Sequence, residues 1–140
     1  MNVSIVRKLL AFLPALILLS SCSLFQNDKD RLAEAIKDYQ ASLPYSTGEG
    51  MMLVRVDYSK SANVIVFETE AEDVYSLSDR EKDAIRKGVR DMMKHSFVGE
   101  KGSDMYNVFD NVRPDFRFLI RNADSGRILY DETFLAHEYL

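Results

Sequence analysis

Apolar residues recur with helical spacing in two parts of the chain. In the first part they lie three or four residues apart, which predicts one buried helix face made of Leu32, Ile36, Tyr39 and Leu43. Asn27, Asp28 and Asp30 are available to cap the start of this helix, and Pro44 ends it. The second helix begins at Ser78, because Ser78-Asp79-Arg80-Glu81 matches a capping box. Its apolar stripe consists of Ile85, Val89, Met92, Met93 and Phe97.

Four other segments alternate between apolar and polar side chains, as half-buried strands do. They are residues 51–58, 64–70, 116–121 and 128–134. A short turn at residues 59–63 joins the first two strands into a hairpin, and a turn at residues 122–126 joins the last two. Residues 105–112 are predicted to add a helical turn before the third strand.

The resulting order, α-β-β-α-β-β, predicts an α+β fold. Two hairpins separated by a helix fit best into one four-stranded antiparallel sheet with the helices packed on one face. The inner face of this sheet is predicted to carry Met52, Val54, Val56, Ile65, Phe67, Phe116, Phe118, Ile120, Ile128, Tyr130 and Phe134.

The opposite face of the predicted sheet is apolar at its centre. Alternation places Leu53, Val64, Val66, Leu119 and Leu129 there, bordered by Arg55, Glu68, Arg117, Arg121 and Asp131. An apolar centre inside a charged rim is typical of partner surfaces. We therefore predict a partner-binding site made of Leu53, Val64, Val66, Arg117, Leu119, Arg121 and Leu129. The alternative is that the first helix crosses over and covers this face, or that the apolar residues lie scattered.

The first 21 residues have the three-part layout of a secretory signal peptide. Arg7 and Lys8 precede an apolar run of 11 residues, and Ser20 and Ser21 follow it. A membrane-spanning helix needs roughly 20 apolar residues, whereas this run is shorter and contains Pro14. We therefore expect residues 1–21 to be removed on export.

Leu19-Ser20-Ser21-Cys22 resembles the lipobox of bacterial lipoproteins. The resemblance implies a diacylglyceryl group on the sulfur of Cys22, cleavage after Ser21 and acylation of the new amino terminus. Two or three acyl chains hold a protein at a membrane stably, whereas one binds marginally. Since Ser23 is not the aspartate that retains many Gram-negative lipoproteins at the inner membrane, the resemblance favours the outer membrane of the cell envelope. Residues 22–29 are then the lipidated cysteine and its tether.

The composition of the chain after residue 21 limits its possible cross-links, domains and partners. Cys22 is the single cysteine, so an internal disulfide is excluded, and residues 30–140 suffice for one α+β domain. Without the signal peptide, 16 basic and 22 acidic side chains give a net charge of −6. A negative charge argues against nucleic acid and anionic lipid headgroups as partners.

Candidate chemistry is sparse. His95 and His137 have no second ligand at metal-binding spacing, and the acidic residues Glu68, Glu70, Glu72 and Asp73 lack the pattern of a calcium loop. We interpret the acidic group as a solvated edge. No serine lies in a nucleophile motif and no glycine-rich phosphate loop occurs. We therefore expect no enzyme activity, no metal and no cofactor.

Two hypotheses of function follow. The first is a membrane-anchored envelope lipoprotein that acts as a non-enzymatic protein-interaction module: an assembly accessory, an inhibitor or an immunity-type protein, with an envelope protein or a second copy as its partner. The second is a small-ligand-binding or hydrolytic periplasmic domain with a site between sheet and helices, using Tyr58, His95 or the loop at residues 70–73.

Overall fold

The computed structural model describes residues 27–46 and 50–140, in which α-helices and β-strands are mixed along the chain. The helices are α1 (Asp28–Ala41), α2 (Asp79–Met92) and α3 (Asp104–Val112). The strands are β1 (Tyr45–Ser46), β2 (Met51–Ser59), β3 (Val64–Ala71), β4 (Asp115–Asn122) and β5 (Ile128–Phe134). A π-helical turn, Met93–Phe97, extends α2, and a 3₁₀ turn, Ala136–Glu138, follows β5.

Side-chain caps fix where the helices begin. The carboxamide of Asn27 accepts the amide of Asp30 at 2.9 Å, and Ser103 caps α3 in the same way. At the start of α2, Ser78 and Glu81 form both bonds of the capping box. These bonds satisfy amides that have no partner inside a helix. The capping predictions for α1 and α2 are confirmed, and residues 104–112 form a full helix rather than one added turn.

The sheet differs from the prediction in strand number and in one pairing. It has five strands in the order β1-β2-β3-β4-β5, because the two-residue β1, which precedes the four predicted strands, pairs with β2. The two predicted hairpins, β2–β3 and β4–β5, are confirmed as antiparallel pairs. However, β3 and β4 are parallel, so the prediction of a purely antiparallel sheet was wrong. The helical connection returns the chain to the end of the sheet where β3 began, and β4 therefore runs in the same direction as β3.

A β-bulge in β2 changes which residues face the core. Leu53 pairs with Thr69 and Arg55 with Glu68, so Val54 is an extra residue and the alternation shifts by one position. Leu53 is fully buried in the core, and Met51 replaces Met52 as an inner residue. The predictions that Leu53 lies on the outer face and that Met52 and Val54 lie in the core were wrong.

A second irregularity, in β5, has the same effect. Ile120 pairs with Tyr130 and Arg121 with Ile128, which leaves Leu129 without a partner position. Leu129 packs in the core and Ile128 is exposed, the reverse of the predicted arrangement. Strict alternation cannot anticipate either shift, because both depend on backbone register rather than on side-chain type.

The core lies between the sheet and the helices. Buried residues of all three helices join the inner residues of β2 to β5 in one cluster. Aromatic rings fill its centre in edge-on and stacked contacts 5.0 to 6.5 Å apart; they belong to Phe67, Phe97, Phe109, Phe116, Phe118 and Tyr139. The helices cover this face of the sheet. The side chains of β2 to β5 that point away from the helices form the opposite face.

Candidate functional site

The side chains that point away from the core on β2 to β5 form the outer sheet face. The parallel register of β3 and β4 sets its middle rows, in which Val66 lies beside Arg117 and Glu68 beside Leu119. The antiparallel neighbours add Arg55 next to Glu68 and Asp131 next to Leu119. Charged residues therefore lie on both sides of the apolar positions in these rows.

Glu68 links three strands across this face. One carboxylate oxygen accepts from Arg55 Nε at 2.9 Å, and the other accepts from Arg121 Nε. Burial raises the pKa of Glu68, but the hydrogen bonds and charges of Arg121 and Arg55 outweigh it, so the pKa lies below its ordinary value. The Glu68 side chain is only 16% exposed, which corrects the interpretation of the acidic residues as a solvated edge at this position.

A second ion pair joins the last two strands. Arg117 donates from Nε and Nη2 to the two carboxylate oxygens of Asp131, at 3.0 and 2.8 Å. This fork is the strong form of an arginine–carboxylate contact. The hydrogen bond and the charge of Arg117 lower the pKa of Asp131. Together with Glu68, the pair keeps the arginines of the outer sheet face in fixed positions.

Leu119 lies between these ion pairs and is only 3% exposed, although it points away from the core. We attribute its burial to the flanking Arg117 and Arg121, because long arginine side chains lay their methylene groups over neighbouring apolar surface. The exposed apolar area of the outer sheet face therefore comes from Ile128, which is 45% exposed beside Arg121, and from half-buried Val64 and Val66, rather than from Leu119.

A shallow depression occupies the part of the outer sheet face near the β2–β3 turn. Its volume is about 590 Å³, and we call it the trough; it is lined by Asp57, Ser59, Ala62, Val64, Val66, Arg117, Asp131 and Thr133. The two valines supply apolar area and the Arg117–Asp131 pair supplies fixed charges. Another polypeptide could fit into this depression, bury the valines and form directional hydrogen bonds with the ion pair.

The structure brings together most of the residues predicted as a partner site. Val64, Val66, Arg117, Leu119 and Arg121 share the outer sheet face, whereas Leu53 and Leu129 belong to the core. Sequence reasoning missed Asp57, Ser59, Ala62 and Thr133 as lining residues. Of these, Thr133 could have been found by alternation from Asp131, while Ser59 and Ala62 were assigned only to a turn. Cys22 lies outside the described residues.

Solved structures with a similar fold include two bacterial proteins. The pilotin EpsS of the type 2 secretion system of Vibrio vulnificus matches with a TM-score of 0.57 and 17% identity, covering 81% of this chain and 92% of the pilotin chain. A candidate secreted protein from Pseudomonas aeruginosa matches with a TM-score of 0.58 and 12% identity, covering 86% of this chain and all of the other. At these identities the likeness establishes a shared fold. No protein-family model and no curated protein matches the sequence.

The residues considered for ligand or hydrolytic chemistry do not converge. The Tyr58 hydroxyl donates to Asn63 at 2.8 Å, and His95 is exposed in the π-helical turn after α2. Glu70 and Glu72 line a separate depression at the end of the β2–β3 pair opposite Tyr58. Aromatic rings occupy the space between sheet and helices in which such a site was expected. Within residues 27–46 and 50–140, no group of histidine, cysteine and acidic side chains could hold a metal ion. Over the same residues, no helix is both long enough and apolar enough to cross a membrane.

The lowered pKa values predict loss of stability in acid. Because Glu68 and Asp131 have lower pKa values when folded, their contribution is complete above the unfolded values of about 4.3 and 3.9 and declines as pH falls through the folded values. Glu68→Gln should reduce this acid dependence and lower stability at neutral pH by about 1 kcal/mol.

Urea unfolding between neutral and acidic pH measures the effect. Glu100→Gln changes an exposed carboxylate and serves as the control, which should reproduce the wild-type pH profile. A Glu68→Gln profile that coincides with that of the control would show that the Glu68 ion pairs contribute nothing to stability.

Proposed function

We propose that this chain is a lipid-anchored envelope protein that assists the assembly of a protein-secretion machine by binding one of its components. It has no catalytic step in this role: lipid on Cys22 holds it at the membrane, and the outer sheet face holds the partner. The fold shared with a type 2 secretion pilotin supports the assembly role. The lipobox Leu19-Ser20-Ser21-Cys22 supports the anchor, and Ser23 supports the outer membrane as its location.

The trough is the observation that carries this proposal. Its apolar residues, Val64 and Val66, are half-buried within the isolated chain and remain able to lose water on binding. Complete burial of a valine side chain contributes roughly 1.5 to 3 kcal/mol before the costs of ordering are subtracted. The Arg117–Asp131 pair beside them can orient a polar segment of the partner, because its geometry is already fixed.

A charge in the trough should abolish partner capture. In the full chain, Val64→Asp combined with Val66→Asp adds two charges where the partner would bury apolar area, and we expect crosslinking in the envelope to recover no stoichiometric partner. The control is Tyr75→Asp combined with Leu135→Asp, which adds the same two charges at exposed apolar residues that lie outside the sheet and do not line the trough. This control should retain the partner.

Capture of the partner would also be lost if the double variant did not fold, so its folded state is measured as well. Circular dichroism and thermal unfolding report whether the double variant is folded, and Val64→Thr with Val66→Thr keeps the branched shape if aspartate is not tolerated. Undiminished capture by folded trough variants would refute the trough as the binding surface. Cys22→Ala tests the anchor independently: the protein should leave the membrane fraction or remain an uncleaved precursor.

A further inference from the structure

The amino-terminal end of α1 lies at one end of the sheet. Lys60, in the turn between β2 and β3, pairs with Asp30 at 3.0 Å, and Lys29 donates to the carbonyl of Lys60 at 3.4 Å. At the same place, Asn111 near the end of α3 donates to the carboxylate of Asp28 at 2.7 Å. Three separate contacts therefore hold the start of α1 against the β2–β3 turn and the end of α3.

The start of β4 belongs to the same end of the molecule. The amide of Asp115 donates to the carbonyl of Asn63 at 3.0 Å, and the Asn63 side chain donates to the carbonyl of Val112 at 2.8 Å. We call this group the tether end: the start of α1, residues 60–63 and residues 111–115.

The opposite end of the sheet is built from different segments. There the amide of Ala123 donates to the carbonyl of Ala71 at 2.9 Å, and the Asn122 side chain donates to the carbonyl of Val74 at 2.7 Å. We call this group, residues 71–75 and 122–126, the far end. Since β3 has eight residues and each rises about 3.3 Å, the two ends lie roughly 25 Å apart.

The length of chain between Cys22 and α1 limits how far the tether end can lie from the lipid anchor. Asn27 lies five positions after Cys22 in sequence, and five Cα-to-Cα steps span at most about 18 Å even when fully extended. We propose that the tether end faces the membrane surface and the far end points away from it. The inference rests on the lipidation of Cys22 in the proposed function.

This orientation also specifies the partner segment. Ser59, Ala62 and Val64 bring the trough up to the tether end, so the trough opens beside the membrane. A polypeptide that fills it must run within a short distance of the lipid headgroups. The partner surface is therefore a segment next to the membrane, belonging to an envelope protein that is itself inserted in or attached to that membrane.

Two single-cysteine labels test the orientation. Ser61→Cys lies in the β2–β3 turn at the tether end and Asp124→Cys lies at the far end; both native residues are exposed. Because the acylated Cys22 is the only native cysteine, each new thiol takes a fluorophore selectively. The lipidated full chain is placed in vesicles of phosphatidylethanolamine and phosphatidylglycerol that carry a nitroxide on the lipid headgroup.

We expect the label at residue 61 to be quenched several-fold more than the label at residue 124. A matched variant with about ten added Gly and Ser residues between Ser23 and Asn27 should lose most of this difference, because a flexible tether of that length frees the domain to turn over. Equal quenching of both labels with the native tether, or stronger quenching at residue 124, overturns the orientation.

Flotation of the same vesicles shows whether the protein is attached to the membrane at all, and so distinguishes a wrong orientation from a missing lipid anchor. If neither labelled protein floats with the vesicles, the lipid on Cys22 is refuted and the orientation falls with it. If both proteins float and residue 124 is the more strongly quenched, the anchor stands and only the orientation is refuted. Partner capture is not measured here, so the trough variants test that proposal separately.

Discussion

Phe116→Ala should destabilise the protein by about 3 to 5 kcal/mol, the range for truncating a buried phenylalanine. Phe116 is 2% exposed, and its ring centre lies 5.0 Å from those of Phe97 and Tyr139 and 5.7 Å from that of Phe67. Alanine leaves a cavity among rings that come from β3, α3, the π-helical turn and the carboxyl-terminal segment. These segments cannot all move inward to fill the cavity, so the loss should fall near the upper part of that range.

Urea unfolding of a chain beginning at Asn27 measures this loss. Tyr75→Ala is the matched control, because it removes an aromatic ring that is 62% exposed and should change stability by no more than about 0.5 kcal/mol. Equal losses for the two variants would mean that the aromatic cluster is not the centre of the core in solution.

Leu53→Asp should unfold the protein, whereas Val66→Asp should leave it folded. Leu53 is fully buried, and an unpaired carboxylate in such a place costs several kcal/mol, a large part of the total stability of about 5 to 15 kcal/mol typical of a domain. Val66 lies on the outer sheet face, where a carboxylate reaches water beside Arg117.

Circular dichroism and thermal unfolding compare the two variants directly, and Leu53→Met provides a variant that keeps the apolar contact. Strict alternation along β2 predicts that Leu53→Asp is tolerated, and the bulge at Val54 predicts that it is not. A folded Leu53→Asp variant with the stability of Val66→Asp would therefore contradict the bulge.

The elements that the sequence predicted correctly are those with a local physical cause. The capping box at Ser78 and the asparagine cap at Asn27 are formed by residues three positions apart, so the local sequence contains the whole interaction. The hairpin turns at residues 60–63 and 123–127 are likewise short-range. Helix starts and hairpins were therefore predictable without knowledge of the rest of the fold.

The errors concern properties that arise between distant segments. Strand direction in the β3–β4 pair depends on the path of the helices between them, and the assignment of Leu53 and Leu129 depends on register shifts in the neighbouring strands. Part of the outer sheet face was predicted correctly, because Val64, Val66 and Arg117 lie in regular stretches of β3 and β4. Alternation placed Leu119 on this face together with Arg117 and Arg121, but it does not reveal that Leu119 is only 3% exposed there.

The parallel pairing of β3 with β4 has a consequence for how the chain folds. β2 and β3 are adjacent in sequence and can pair as soon as both have emerged, but the other edge of β3 is completed only by β4, which follows α2 and α3. Until then, β3 presents unpaired backbone groups and the inner residues Ile65 and Phe67 lack their β4 neighbours. Closing this long loop is the non-local step that we expect to limit the folding rate. A chain truncated before Asp115 would therefore keep β3 as an unpaired, aggregation-prone edge of its sheet.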